Sequence, residues 1–394
     1  MFISVVEFEG HIECLHSFFK IFKHENSIKI AAYISKTLDI EIEELKPQFK
    51  NVEFFVKPSS QSIDFFLKKH LNNINKSDYV IFNTLQKQPH LYNLKAIKGT
   101  TIIRIHNINT FLNRKKNFKL SWNWYDLYKD FSYFVREYLW AQQVSHFKRL
   151  LQETDFIMLP DDSYTNYVIK NNLYPSKKIF PSVAMAVYDS AFAKQLTKNL
   201  LTLCITGTID AKRKDYLLAF EAIKAALPDV LGKLRLILLG APKGPYGQLV
   251  LNKFKSLKAK NFELVSFNKR IDQATFELYL MQTDVLLAPV AINTRYKFFS
   301  EIYGTTKISG SITDMIRYGK PLFLINQYQL SNEFAEVVFL FSNENNLKKL
   351  ILDVANEDFL LLQKQQKLVI FLKKLEAKKI SGKTLENFKF YQNV

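Results

Sequence analysis

The feature that most constrains this chain is an alternation of short apolar runs with helical patterns, begun in the first half and begun again in the second. Phe2–Phe8, Ile28–Ile34, Val52–Val56, Tyr79–Phe82, Thr101–Ile105 and Phe156–Leu159 read as strands. His11–Phe22 and Ser62–Asn73 read as helices, the latter with Ile63, Phe66 and Leu67 on one face. The second half restarts at Leu200–Ile205, which ends at Gly207. Strands at Leu234–Leu239, Phe262–Val265, Val285–Ala288 and Leu322–Ile325 then alternate with helices at Asp215–Ala226, Ile271–Met281 and Ser311–Tyr318. Such alternation predicts βαβ units on parallel sheets, hence an α/β chain of two Rossmann-like domains.

A length of 394 residues suits two cores rather than one. Tyr174-Pro175 and Phe180-Pro181 mark a loop-rich junction. The expected division is residues 1–190, residues 191–360, and closing helices over 361–394 that could cross back to the first domain. Ligands of such sheets bind outside the strand carboxyl ends, so the expected site is a central cleft faced by both domains.

The net charge of +18 favours phosphate, nucleic acid or anionic lipid as partners. The excess is local: residues 101–150 carry nine Lys/Arg against three acids. Cys14 and Cys204 lie in separate apolar runs and read as buried free thiols. No basic n-region opens the chain, and Glu7, Glu9 and Glu13 interrupt the first apolar stretch. No apolar run reaches about 18 residues. A cytoplasmic protein is expected, soluble or peripheral on the inner face of the membrane.

Two segments carry the chemistry. In Gly207-Thr-Ile-Asp-Ala-Lys-Arg-Lys-Asp-Tyr216 a strand end leads into a helix with Lys212, Arg213 and Lys214 clustered between. The segment Glu301–Asp314 follows a strand and a loop and opens another helix. Gly304 and Gly310 permit close backbone approach, Lys307 adds a charge, and Ser309 precedes the helix. Ser311 is placed to cap it, with Asp314 in capping-box spacing. Free N–H groups and partial positive charge at a helix start suit a diphosphate. Either segment could equally be an ordinary capped helix or a solvated charge run.

In this order and spacing the two segments resemble the C-terminal domain of group 1 glycosyltransferases of the GT-B fold, most clearly over residues 200–340. Gly207 with Arg213 or Lys214 matches the glycine and basic pair that grip the donor diphosphate, and Ile316–Pro321 matches the Gly-x-Pro helix end. The match is imperfect. Thr208 stands where the family has arginine, and counting back from Gly319-Lys320-Pro321 places the family's two glutamates on Thr306 and Asp314. The resemblance implies that Asp314 binds the donor ribose and that Glu301 substitutes for the first glutamate, at the donor sugar or phosphates. It implies transfer, of hexosyltransferase type, from a nucleotide-sugar donor to a saccharide or lipid-linked acceptor. A nucleotide-sugar epimerase of the same fold, or a non-catalytic nucleotide-sugar or glycan-binding protein, are the rival readings.

All seven histidines lie at or before His146. His106 ends the strand Thr101–Ile105, where a side chain meets ligand; in the family such a histidine contacts the donor sugar. Gly10 and His11, in the first strand–helix turn, are acceptor-side candidates. No cofactor and no metal are expected: there is no Asp-x-Asp, and no Cys/His cluster shows ligand spacing. Residues 110–151 read as one long basic, aromatic helical region. Within 112–149, Arg114, Lys115, Lys116 and Lys119 precede Trp122, Trp124 and Tyr125, with Trp140 beyond. That pattern suits an anionic membrane surface, or else a helix with its aromatics packed inward. No nucleic-acid recognition motif accompanies it, and no nucleic-acid partner is expected.

Overall fold

The computed structural model describes residues 1–119, 124–135, 142–189, 199–210, 213–296 and 298–392. The chain forms two compact α/β units. The first comprises Met1–Val187, Arg295–Glu301 and the helix Ala377–Gln392; the second comprises Tyr188–Thr294 and Ile302–Glu376.

The first unit is built on seven strands: β1 (Phe2–Glu7), β2 (Lys29–Ser35), β3 (Val52–Lys57), β4 (Tyr79–Phe82), β5 (Thr100–Arg104), β6 (Phe156–Met158) and β7 (Ile179–Phe180). They lie in the order β3-β2-β1-β4-β5-β6-β7, all parallel. β1 is followed outward on one side by β2 and β3, while β4 starts the other side. The sheet therefore switches direction between β1 and β4, and the loops after β1, β4 and β5 gather at that point. Helices cover both faces, so a central strand reads as an unbroken apolar run. All four residues of β4 are buried, and its bounds are those the sequence predicts.

The helix Ile12–Phe22 buries Leu15, Phe18, Phe19 and Phe22, which recur at helical spacing on one face. The C-terminal helix Ala377–Gln392 closes this core. Phe388 is fully buried, with its ring 4.8 Å from Tyr79 and 5.0 Å from Phe180. The Tyr79 hydroxyl donates to the Phe388 carbonyl. Full burial of such a ring contributes about 2–3 kcal/mol.

Two helical expectations break here. Residues 62–73 form two pieces, Ile63–Lys69 and Leu71–Ile74, interrupted at His70. Residues 110–151 are not one helix: Ile108–Leu112, Arg114–Asn117, Trp124–Tyr133 and Gln143–Glu153 are separate elements among the described residues. Asn113, with φ −135°, leaves the helical region between the first two.

The second unit has six parallel strands: β8 (Leu200–Thr206), β9 (Lys233–Leu239), β10 (Phe262–Ser266), β11 (Val285–Ala288), β14 (Leu322–Ile325) and β15 (Phe339–Phe341). Their order is β10-β9-β8-β11-β14-β15, which places the switch between β8 and β11. β11 and β14 are buried at every residue and match the predicted runs. Between β11 and β14 in the chain comes a two-stranded ladder of β12 (Asn293–Tyr296) and β13 (Phe299–Ile302), whose residues 295–301 belong to the first unit. Asn-Thr-Arg-Tyr has no apolar run to announce it. Both cysteines are buried and free.

Candidate functional site

At the switch point of the second unit, Gly207 follows β8 with φ +88°, a conformation glycine adopts without strain. Its N–H donates to the Leu239 carbonyl at 2.9 Å. A Cβ on Gly240 would stand 2.1 Å from the Gly207 carbonyl oxygen, so the ends of β8 and β9 meet backbone to backbone. The loop then turns onto β11: Ala291 N donates to Arg213 O at 3.0 Å, and Asp215 N donates to Pro289 O at 2.7 Å. Asp215 caps the helix Tyr216–Ala226 by accepting from Leu218 N. Lys212 lies outside the described residues.

This loop fixes two cations. The Lys214 ammonium donates to the carbonyl of Thr206 and stands 3.6 Å from where a Cβ on Gly207 would be. Burial pushes it down to about 8, partly opposed by the charge of Asp314. Arg213 is more exposed, with its Nε 3.3 Å from Asp210. Its charge also acts on Tyr303, whose hydroxyl burial pushes up to about 12. Arg213 thus acts electrostatically on Tyr303 and Asp314 on Lys214, so the two segments singled out in the sequence lie within range of each other's charges.

The second segment turns at Gly304, φ +83°, where a Cβ would stand 2.6 Å from Gln329 N. Gly304 N donates to Lys307 O at 2.9 Å, and the Lys307 ammonium sits 5.9 Å from the Tyr303 ring centre. Thr306 Oγ1 accepts from Ile302 N at 2.8 Å. The helix Gly310–Tyr318 follows. Its cap is Ser309 and not Ser311: Ser309 Oγ accepts from Ser311 N at 3.3 Å, and Ser309 N donates to the Tyr328 hydroxyl at 3.2 Å. Asp314 is therefore two positions too far along to complete a capping box. Ser311, relieved of that task, keeps a buried hydroxyl without a protein partner among the described residues. Gly310 beside it has no atom within 4 Å of a Cβ position. An unpaired buried hydroxyl costs about 1–3 kcal/mol unless something supplies a bond. The helix ends at Gly319, φ +61°, where a Cβ would press on Tyr188.

At the first unit's switch point the carboxylate of Glu7, last in β1, organises two loops. Oε1 accepts from Glu9 N at 2.7 Å and Gly10 N at 3.2 Å. Oε2 accepts from Asn83 Nδ2 and Thr84 Oγ1, each at 2.6 Å. Gly10 has φ +124°, and His11 begins the first helix. His106 follows β5, is buried, and donates from Nε2 to the Asn83 carbonyl at 2.8 Å. Its ring stacks on His11 with centres 4.4 Å apart. Gly10, His11 and His106 therefore share one place, and Asn83, the residue after β4, bonds both His106 and the Glu7 carboxylate that holds Gly10.

Glu301 belongs to the first unit and is buried. Its Oε1 accepts from Thr110 N at 2.8 Å and Thr110 Oγ1 at 2.6 Å, and its Oε2 from Asn109 N at 3.4 Å. It anchors the helix Ile108–Leu112, which starts two residues beyond His106.

Two seven- and six-stranded parallel sheets with switch points of this kind define the architecture. The fold is GT-B. HepE of Anabaena, crystallised with UDP, with UDP and glucose, and with UDP-glucose, superimposes on the chain. The UDP form gives a TM-score of 0.63 at 13% identity, covering 99% of this chain and 100% of HepE. A UDP-GlcNAc 2-epimerase from Neisseria meningitidis bound to UDP-GlcNAc gives 0.54 at 12% identity, over 98% and 99% of the two chains. A mutant O-GlcNAc transferase of Thermobaculum terrenum gives 0.56 at 9% identity, over 99% of this chain and 67% of that one. No family model and no curated protein matches the sequence.

In this GT-B chain the sequence reading missed Glu7, Asn83 and Asp210. An acid closing a strand, as Glu7 does, was the signal for the first. No Cys/His cluster has ligand spacing in the sequence, yet in space His11, Cys14 and His106 place ligand atoms within 4.8 Å of one another. Sequence spacing cannot show this, because His106 arrives from a different strand. Of the basic run expected at a membrane, Arg114 is stacked 4.1 Å from the Phe147 ring centre and 5.4 Å from Phe299. Lys115, Lys116 and Lys119 are exposed, as are Tyr128 and Phe131. Trp122 and Trp140 lie outside the described residues. No described helix is long and apolar enough to cross a membrane.

Proposed function

We propose that the chain is a glycosyltransferase that moves a sugar from a nucleotide-diphosphate-sugar donor to a saccharide or lipid-linked acceptor. The observation that carries this reading is the start of the helix Gly310–Tyr318. There a buried Ser311 hydroxyl, without a partner among the described residues, adjoins the open Gly310, in the unit whose switch point holds Lys214. Helix-start amides, the Ser311 hydroxyl and ammonium groups are the donors a diphosphate needs.

Arg213, Lys214 and Lys307 would offset the charge of the departing nucleoside diphosphate, a task a metal ion performs in other transferases. Gly207 and Gly304 let the backbone approach. Ser309 holds the helix start and Ser311 bonds a phosphate oxygen. Asp314, carried by resemblance to the donor ribose, also balances Lys214. Gly10, His11 and His106 are assigned to the acceptor side and the transferred sugar. Glu301 acts through the helix it anchors, as a positioning residue for His106. The superposition on UDP-glucose-bound HepE supports a nucleotide-sugar ligand.

The epimerase bound to UDP-GlcNAc favours one rival reading, interconversion of the donor sugar without an acceptor. Incubation with a panel of nucleotide sugars, with and without oligosaccharide or lipid-linked acceptors and read by mass spectrometry, separates them. Transfer, or slow hydrolysis without acceptor, supports the proposal. Isomerised donor supports the epimerase. Binding without turnover leaves a non-catalytic nucleotide-sugar protein.

A further inference from the structure

One cluster in the first unit joins His11 and His106, assigned above to the acceptor side and the transferred sugar, with Cys14, which that reading leaves without a role. His11 and Cys14 lie three residues apart at the start of the helix Ile12–Phe22, so they share a face. His106 comes to them from the end of β5. One nitrogen from each ring and the Cys14 sulfur all lie within 4.8 Å of one another. We propose that His11, Cys14 and His106 form a binding site for one divalent transition-metal ion of the Zn2+ class, with a fourth position open to solvent.

The ligand types select the ion. Two imidazoles and a thiolate suit Zn2+ and its neighbours and disfavour Mg2+ or Ca2+, which take oxygen ligands. Bonds of about 2.0–2.3 Å require donor atoms closer than the 4.8 Å limit, so the cluster contracts around the ion. The His11 ring then leaves its stack on His106.

The surroundings carry the argument further than the cluster alone. A ligating histidine characteristically passes its other ring N–H to a carboxylate or carbonyl. His106 does so: Nε2 is 2.8 Å from the Asn83 carbonyl, which can only accept, so Nδ1 is the nitrogen left with a lone pair. His11 does so as well, with Nδ1 3.3 Å from Glu13 Oε1, which leaves Nε2 in the neutral ring. Cys14 has the buried guanidinium of Arg104 as a charge neighbour. Glu7 and Glu13 supply compensating negative charge. The His11 side chain is 36% exposed, which gives the ion and a fourth ligand a way in.

The site does not depend on the proposed sugar transfer, and its test reads metal alone. Full-length reduced protein, stripped with chelator, is titrated with Co2+ and then Zn2+. One equivalent of Co2+ should give the visible bands of a four-coordinate ion and an ultraviolet thiolate-to-cobalt band, both lost on adding one equivalent of Zn2+. Cys14→Ser should remove the thiolate band, whereas Cys204→Ala should keep it. His11→Ala, at a half-exposed position that leaves the core intact, should weaken Zn2+ binding more than about tenfold. Glu13→Gln should weaken it by about tenfold. Absence of both cobalt bands, or a Zn2+ affinity unchanged in His11→Ala, would overturn the proposal.

Discussion

The ammonium of Lys214 stands over Gly207, 3.6 Å from the position a Cβ there would occupy. Burial lowers its proton affinity to about 8, from the usual 10.5. A diphosphate favours the ammonium. Below pH 8 that ammonium is already present, and nucleoside diphosphate binding should vary little with pH. Above pH 8, binding must take up a proton, and affinity should fall by up to about tenfold per unit. Stability moves the other way. The folded state holds fewer protons on Lys214 between about 8 and 10.5, so this group's contribution rises with pH across that window. Calorimetric titration of UDP between pH 7 and 9.5 measures the effect. Lys214→Met should flatten the profile, and a slope that persists in that variant would assign it elsewhere.

Ser311 offers a separation of stability from binding. Its hydroxyl is buried without a partner among the described residues, so Ser311→Ala should leave the unfolding free energy unchanged or raise it by up to about 1 kcal/mol. The same change should weaken UDP binding by about tenfold or more, since a hydrogen bond to a charged group contributes about 1.5–3 kcal/mol. Urea unfolding and calorimetry on one preparation provide both numbers. Lower stability with intact binding would show that the hydroxyl serves the fold.

Glu301 should behave in the opposite way. Its carboxylate takes three donors from Asn109 and Thr110 inside the first unit. Glu301→Ala strands these buried groups and should cost about 3 kcal/mol of stability. UDP affinity should stay within about twofold of the parent, below about 0.4 kcal/mol. A large loss of UDP affinity without loss of stability would return Glu301 to the donor.

The exposed lysines and rings of residues 112–149 provide the fourth prediction. Lys115→Glu with Phe131→Ser should reduce association with phosphatidylserine liposomes, and the parent's association should weaken as salt rises. Equal flotation of parent and variant would remove the membrane from the account.

The fold was legible because central strands of parallel sheets are buried on both faces. Tyr79–Phe82, Val285–Ala288 and Leu322–Ile325 therefore announce themselves as unbroken apolar runs with sharp ends. Gly207 and Gly304 were legible for a local reason, a positive φ at a strand end and at a turn. Ser309 and Ser311 differ by two positions in a run of small polar residues, and backbone geometry alone decides which one caps. What sequence could not show was convergence between elements. Asn83 reaches His106 from the loop after a neighbouring strand, and Cys14 meets it from the first helix. Glu301 looked like part of the donor loop because it precedes Gly304 in the chain, yet its carboxylate serves another segment.

The central claim is that Arg213, Lys214 and the start of the helix Gly310–Tyr318 hold a nucleoside diphosphate by protein charges alone. Calorimetric titration of UDP and GDP at pH 7 in excess EDTA tests it most directly, run on the parent and on the Arg213→Ala, Lys214→Met pair. The account predicts saturable one-to-one binding of at least one nucleotide in EDTA, weakened at least about a hundredfold in the double variant, or about 2.7 kcal/mol. Equal affinity in parent and variant, or binding that appears only when a divalent ion is restored, would contradict it.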